Sequence, residues 1–130
     1  MIVVDASAAL EVLLRTPAAS AVEERLFAPG ETLHAPHLID LEVAQVLRRY
    51  AAAGEIAPER GRAALADFVD FPISRYPHVV LLPRIWELRA RLTAYDAAYV
   101  TLAEALDAPL LTGDRKLAGA QGHRARILLA

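Results

Sequence analysis

Asp5, Glu42, Asp96 and Asp114 are the residues whose types and places in this sequence could do chemistry together. Asp5 follows Ile2-Val3-Val4, an apolar run with the β-branched character of a short buried strand. Asp114 follows a second apolar run, Leu110-Leu111-Thr112. In an open parallel α/β sheet, ligands bind just beyond the carboxyl ends of the strands. Both acids would stand there. Glu42 falls inside the apolar stripe of a helix, and Asp96 opens a helix that leads into the strand before Asp114. Gathered in one crevice, four such groups would hold a divalent metal.

A magnitude shows why a cation is needed. Two carboxylates ~5 Å apart repel by roughly 3 kcal/mol at an effective dielectric of 20. Over the six pairs of a four-acid cluster the crude total is on the order of 10–20 kcal/mol, which rivals the ~5–15 kcal/mol stability of a whole domain. The cluster must therefore hold a metal, bound protons or a partner's cation. Oxygen ligands favour Mg²⁺ or Mn²⁺. Each acid also has a plainer explanation. Asp5 and Asp114 could cap the helices that follow them. Asp96, three residues after Thr93, could belong to a variant capping box. Glu42 could form a buried ion pair with an arginine.

Short strands and helices alternate along the chain. Strand 2–5 precedes helices over 7–15 and 18–27, the first stopped by Thr16-Pro17. Thr32 to Ala35 suit a strand, with Pro36 opening the next helix. That helix, 37–53, carries the stripe Leu38, Ile39, Val43, Val46, Leu47 and Tyr50, with Gly54 as its cap and Asp40 to one side. Helix 58–71 starts on Pro58. Residues 73–80 suit a short strand interrupted by Pro77, and Pro83 opens a helix through Leu92. Helix 94–107, strand 110–112, a short helix from Gly113-Asp114 and strand 125–129 complete the chain. The alternation predicts an α/β fold, a parallel sheet with helices on both faces. No repeat or linker divides it, so one domain over 1–130 is expected.

Composition narrows the class. The chain has 130 residues, 55% of them apolar, enough for a core without staples. It lacks cysteine, which excludes disulfides and thiolate metal sites. No signal peptide and no apolar run of ~20 residues are evident, which predicts a soluble cytoplasmic protein with no membrane partner. The net charge of −2 gives no general attraction to nucleic acid. Local arginines or a metal would have to hold phosphates. All basic residues except Lys116 are arginine, which suits bidentate phosphate contacts, though genomic base composition produces the same bias.

Four segments together carry a resemblance. Val-Val-Asp5-Ala-Ser7-Ala, Leu41-Glu42-Val43 with Leu47 and Arg48, Tyr95-Asp96-Ala97-Ala98-Tyr99, and Leu111-Thr112-Gly113-Asp114 resemble, in order and spacing, the PIN domain, above all the VapC-type toxins of prokaryotic toxin–antitoxin pairs. The resemblance implies a three-layer α/β/α fold with a short central parallel sheet. It implies a metal-dependent endoribonuclease that acts as a toxin on RNA, is silenced by a cognate VapB-type antitoxin, and forms a homodimer. Asp5, Glu42, Asp96 and Asp114 become the acidic site, with Ser7 and Thr112 at supporting hydroxyl positions. Some family members have a further acid after the last one. Arg115, Lys116 and Leu117 stand here instead, which puts a second metal in question. On this reading Asp5, Asp96 and Asp114 hold Mg²⁺ or Mn²⁺, and Glu42 orients or deprotonates the attacking water. Cleavage would leave 5′-phosphate and 3′-hydroxyl ends.

Other readings fit less well. A Rossmann site wants a glycine-rich turn after the first strand, where Asp5-Ala6-Ser7-Ala8 has none. A haloacid-dehalogenase-type phosphatase wants a second Asp where Ser7 stands, and no middle strand carries a phosphoreceiver's acceptor Asp. The rivals that remain are a catalytically silent binding module, whose acidic pocket holds a partner's arginine, and a DNA or flap nuclease. His34, His37, His78 and His123 are scattered, which predicts surface or capping roles. Trp86, with Ile85, Leu88 and Leu92, predicts core or a dimer face. Arg48-Arg49, Arg89-Arg91 and Arg124-Arg126 have a solvated surface as their default.

Overall fold

The computed structural model describes residues 1–130. Its sheet has five parallel strands, β1 (Ile2–Val4), β2 (Leu33–Pro36), β3 (Ile73–Tyr76), β4 (Leu110–Thr112) and β5 (Ile127–Leu129). Their order is β3-β2-β1-β4-β5. The chain builds outward from β1 to β3, then crosses to β4 and β5 on the other side. The resulting switch point lies between β1 and β4, which is where such sheets open a crevice. Val3 and Val4 in β1, and Leu110 and Leu111 in β4, are fully buried, as continuous apolar runs in a covered parallel sheet must be.

Seven helices connect the strands: α1 (Ala6–Leu13), α2 (Ala19–Leu26), α3 (Ile39–Ala52), α4 (Pro58–Val69), α5 (Leu82–Glu87), α6 (Ala94–Leu106) and α7 (Arg115–Ala118). The first four pack on one another, while α5 and α6 pack together, with α6 against β1, β2 and β4. The architecture is the expected three-layer α/β/α fold. The core side of α3 is Ile39, Val43 and Leu47, all buried; Leu38, Val46 and Tyr50 are half-buried beside them. Gly54, at φ +75°, takes the left-handed position just past the helix, as its place in the sequence indicated. Helix α6 is apolar nearly all round, with every residue from Ala97 to Ala103 buried.

The structure corrects several boundaries. Pro36 does not open a helix; it is the last residue of β2, and α3 begins at Ile39. On the β1 side the ladder ends at His34, so the amide that Pro36 lacks costs no bond, while His37 N donates to Tyr76 O across β3. Strand β3 stops before Pro77, which cannot donate to a ladder. The helix on Pro83 ends at Glu87 rather than at Leu92. Tight turns follow, with Arg89 N bonded to Trp86 O and Arg91 N to Leu88 O. They bury Leu88 and leave Thr93 extended, the conformation it needs to cap α6. The last strand covers only Ile127–Leu129. No helix is long and apolar enough to cross a membrane.

Candidate active site

Asp5, Glu42, Asp96 and Asp114 come from four separate parts of the chain and line one cavity of about 330 Å³. Asp5 sits at the β1–α1 junction, Glu42 in the first turn of α3, Asp96 in the first turn of α6, and Asp114 between β4 and α7. Ser7, Glu11, Thr16, Arg49 and Tyr50 complete the polar part of the lining.

Asp5 has the backbone of a helix cap but its side chain makes no capping bond. Instead Oδ2 accepts from Ser7 Oγ and from Thr112 Oγ1, both at 2.7 Å. The two hydroxyls lie 3.1 Å apart, and each also accepts a backbone N–H: Gly113 N to Ser7 Oγ at 2.9 Å, and Asp114 N to Thr112 Oγ1 at 3.0 Å. This network ties the end of β1 to the end of β4 and locks the Asp5 rotamer. The plainer reading holds in part for the other two aspartates. Asp114 Oδ1 accepts from Lys116 N at 2.9 Å and so caps α7. Thr93 caps α6 by accepting from Asp96 N at 3.2 Å. The first bond uses one oxygen of the Asp114 carboxylate, and the second involves only the Asp96 backbone.

Glu42 has no arginine partner. Its Oε1 accepts from the Tyr99 hydroxyl at 2.6 Å. Tyr99 is fully buried in α6, one turn beyond Asp96. None of the chain's ion pairs involves any of the four acids. Asp40, the acid to one side of the stripe, is paired with Arg75 at 2.8 Å.

The electrostatics match this geometry. Burial pushes the Asp5 carboxyl above its ordinary value against the opposing bonds from Ser7 and Thr112, and the Asp114 charge adds to the rise. Glu42 is pushed up by burial, against the Tyr99 bond, with further upward contributions from Asp5 and Asp96. Asp96 rises through burial first, then through the charges of Asp5 and Asp114. The acids feel one another, and no protein cation relieves them.

No three of these side chains are drawn together as ligands of one ion. Glu42 and Asp114 are each turned toward a protein donor. The donor set itself consists of hard carboxylate oxygens on one cavity wall, none of them ion-paired with a basic side chain. That is the chemistry a hard divalent cation requires.

Three lining or supporting groups carry more than their sequence context showed. Tyr99 lay in the Tyr95–Tyr99 segment, spaced to share a helix face with Asp96, but its bond to Glu42 spans two helices. Glu11 is a fifth acid at the rim and accepts from the Thr16 hydroxyl. Arg49, expected to be solvated surface, is the one basic residue lining the cavity. The expectation for His34 is overturned. It is buried in β2 between the Tyr76 hydroxyl at 2.7 Å and Thr32 Oγ1 at 2.9 Å, because the sheet offers both ring nitrogens a partner there. Trp86 is not core; it is exposed, with the Arg89 guanidinium 4.5 Å above its ring.

Comparison with known proteins agrees with this arrangement. The family model described as "PIN domain" matches residues 2–122. "Ribonuclease VapC9" of Mycobacterium tuberculosis is 50% identical over 117 residues, covering 90% of this chain and 88% of that protein. "Ribonuclease VapC12" of the same species is 43% identical over 129 residues, 99% of this chain and 98% of that one. Among solved structures, PAE2754 from Pyrobaculum aerophilum superposes with a TM-score of 0.72 at 25% identity, over 97% of this chain and 81% of that one. With four acids at one switch point and relatives matched nearly end to end, the chain belongs to the PIN domain family and to its VapC group.

Proposed function

We propose that this chain is a divalent-metal-dependent endoribonuclease acting as the toxin of a toxin–antitoxin pair, with residues 1–130 forming one nuclease domain. The carrying observation is the uncompensated convergence of Asp5, Glu42, Asp96 and Asp114 on one cavity. The VapC relatives, each named a ribonuclease, supply the substrate class. A VapB-type antitoxin is the partner that goes with such a toxin. A homodimer would cover the apolar surface of Leu41, Leu82, Trp86 and Tyr95, all exposed in the single chain.

Asp5, Asp96 and Asp114 would hold Mg²⁺ or Mn²⁺. When bound, such an ion neutralises phosphate charge and makes a coordinated water more acidic. Ser7 and Thr112 fix the Asp5 carboxylate by its Oδ2, leaving Oδ1 without a side-chain donor. Glu42 accepts the proton of the attacking water. Arg49 lies two turns along α3 from Glu42, about 10 Å away, and takes a phosphate flanking the scissile one. The pocket's uncompensated charge would also suit a guanidinium from a partner chain, which is the catalytically silent alternative.

Purified protein incubated with RNA and with DNA, with Mg²⁺, Mn²⁺ or chelator, tests the reading. Metal-dependent RNA cleavage leaving 5′-phosphate and 3′-hydroxyl ends, lost in Asp5→Ala, is the expected result. A 2′,3′-cyclic phosphate product overturns the mechanism. Cleavage of DNA alone favours a DNA nuclease, and no cleavage with any metal favours the binding module.

A further inference from the structure

We propose that Tyr99 is a positioning residue for the reaction: its hydroxyl sets the Glu42 carboxylate in the place from which it accepts the proton of the attacking water. The proposal rests on the role given above to Glu42. Tyr99 Oη donates to Glu42 Oε1 at 2.6 Å, the short distance of a hydroxyl bonded to a charged oxygen. No other side chain bonds to that carboxylate, and Glu42 is the one side-chain partner of the tyrosine hydroxyl. The two groups therefore pair side chain to side chain across α3 and α6, with the Ala6 backbone N–H beside the tyrosine oxygen.

The surroundings of Tyr99 explain why the hydroxyl is there. Its ring is fully enclosed, on a helix whose neighbouring residues are Ala97, Ala98, Val100, Leu102 and Ala103. Packing alone would be served as well by phenylalanine, which would bury no polar atom. The hydroxyl gains nothing from water in that position; the Ala6 backbone N–H lies beside it, and the group it donates to is Glu42. The ring cannot turn or withdraw, so the donor is rigid while the glutamate, with three side-chain torsions, is not. Tyr99 also stands one turn from Asp96, on the same face of α6. One rigid helix thus places a metal-holding aspartate and the anchor of the proton acceptor at a fixed separation. That coupling is what a reacting water, held between the two, requires.

The test uses Tyr99→Phe, Glu42→Gln and the double variant, with a fluorophore-labelled oligoribonucleotide taken from RNA that the wild type cuts in Mg²⁺ or Mn²⁺. Tyr99→Phe keeps the ring. Its kcat is expected to fall about tenfold to a hundredfold, the range of a hydrogen bond to a charged group, with KM and the thermal midpoint close to wild type. In the Glu42→Gln background the same change should cost nothing further, because Tyr99 acts through Glu42. A crystal structure of metal-free Tyr99→Phe should show Glu42 in a different rotamer. Tyr99→Phe within twofold of wild-type kcat, Glu42 in its original rotamer, or losses that multiply in the double variant would each overturn the assignment. An inactive Glu42→Gln beside a fully active Tyr99→Phe sinks the role of Tyr99 alone. A fully active Glu42→Gln removes the role of Glu42 on which it rests.

Discussion

Helix α6 carries two acids about two turns apart, and the fold treats them in opposite ways. Glu104, near its C-terminal end, is almost completely enclosed and fully answered. Arg84 grips it with Nε at 2.9 Å and Nη2 at 3.0 Å, and Arg124 N donates at 2.8 Å. These bonds, Arg84 first, hold the Glu104 carboxyl below the ordinary range. Asp96, in the first turn, is half-buried and has no cation; burial and the charges of Asp5 and Asp114 hold its carboxyl above that range. The chain has basic residues in plenty, 14 of them, and the fold neutralises Glu104 and Asp40 with arginine while leaving the four pocket acids without one. Selection for stability alone would not leave that deficit. A site waiting for a cation from solution would.

The comparison is sharpened first by removing charge on the open side. Asp5→Asn keeps the shape and an acceptor for Ser7 and Thr112 but deletes a charge. RNA cleavage should fall by at least about 10³-fold, while the metal-free protein melts at the same temperature or higher, because repulsion is relieved. Melting at a clearly lower temperature would show that the pocket acids stabilise the fold after all. Next, Mg²⁺ or Mn²⁺ at a hundredfold excess over Kd should stabilise the wild type by about 2.7 kcal/mol and leave Asp5→Asn almost unchanged, as read by thermal melts.

On the closed side the sign reverses. Glu104→Ala leaves Arg84 half its partners and should cost about 2 kcal/mol of stability in a denaturant titration, less than a fully buried pair because the arginine is a quarter exposed. Its kcat on RNA should be unchanged. The pH dependence follows the same logic. Glu104 has a depressed folded pKa, so its contribution is complete above the ordinary carboxylate value and is lost as pH falls through the lower folded one. Glu104→Gln should therefore flatten the acid limb of the stability–pH curve below about pH 4.5; an unchanged limb would remove Glu104 from the account. The smallest effect is expected at the rim. Arg49→Ala should raise KM for RNA roughly fivefold, with little change in kcat, since an exposed arginine–phosphate contact contributes about 1 kcal/mol.

Most of the element plan was readable along the chain, and the places where it was not have a common cause. Pro36 has the same covalent restriction at a strand end as at a helix start, and only the run of the β2 ladder past its β1 partner decides which. Helix α5 stops at Glu87 because Leu88 turns into the core and Thr93 must be extended to cap α6, neither of which is written into 83–92. His34 lacked a metal-ligand spacing, yet it is interior because a tyrosine 42 residues away meets its ring.

What the amino-acid order determined by itself was local: β-branched runs that make strands, a stripe that makes α3, prolines and Gly54 that end elements, and acids set just past the strand ends. Which acids are neutralised is a different kind of fact. Asp96 and Glu104 look alike in sequence, and capping was an adequate account of three of the four pocket acids. Only the tertiary structure showed Asp5 bonded to hydroxyls rather than capping, Glu42 bonded to Tyr99 rather than to arginine, and Glu104 locked by Arg84. The reason is that charge compensation depends on distances of a few ångströms between groups far apart along the chain, and packing alone sets those distances.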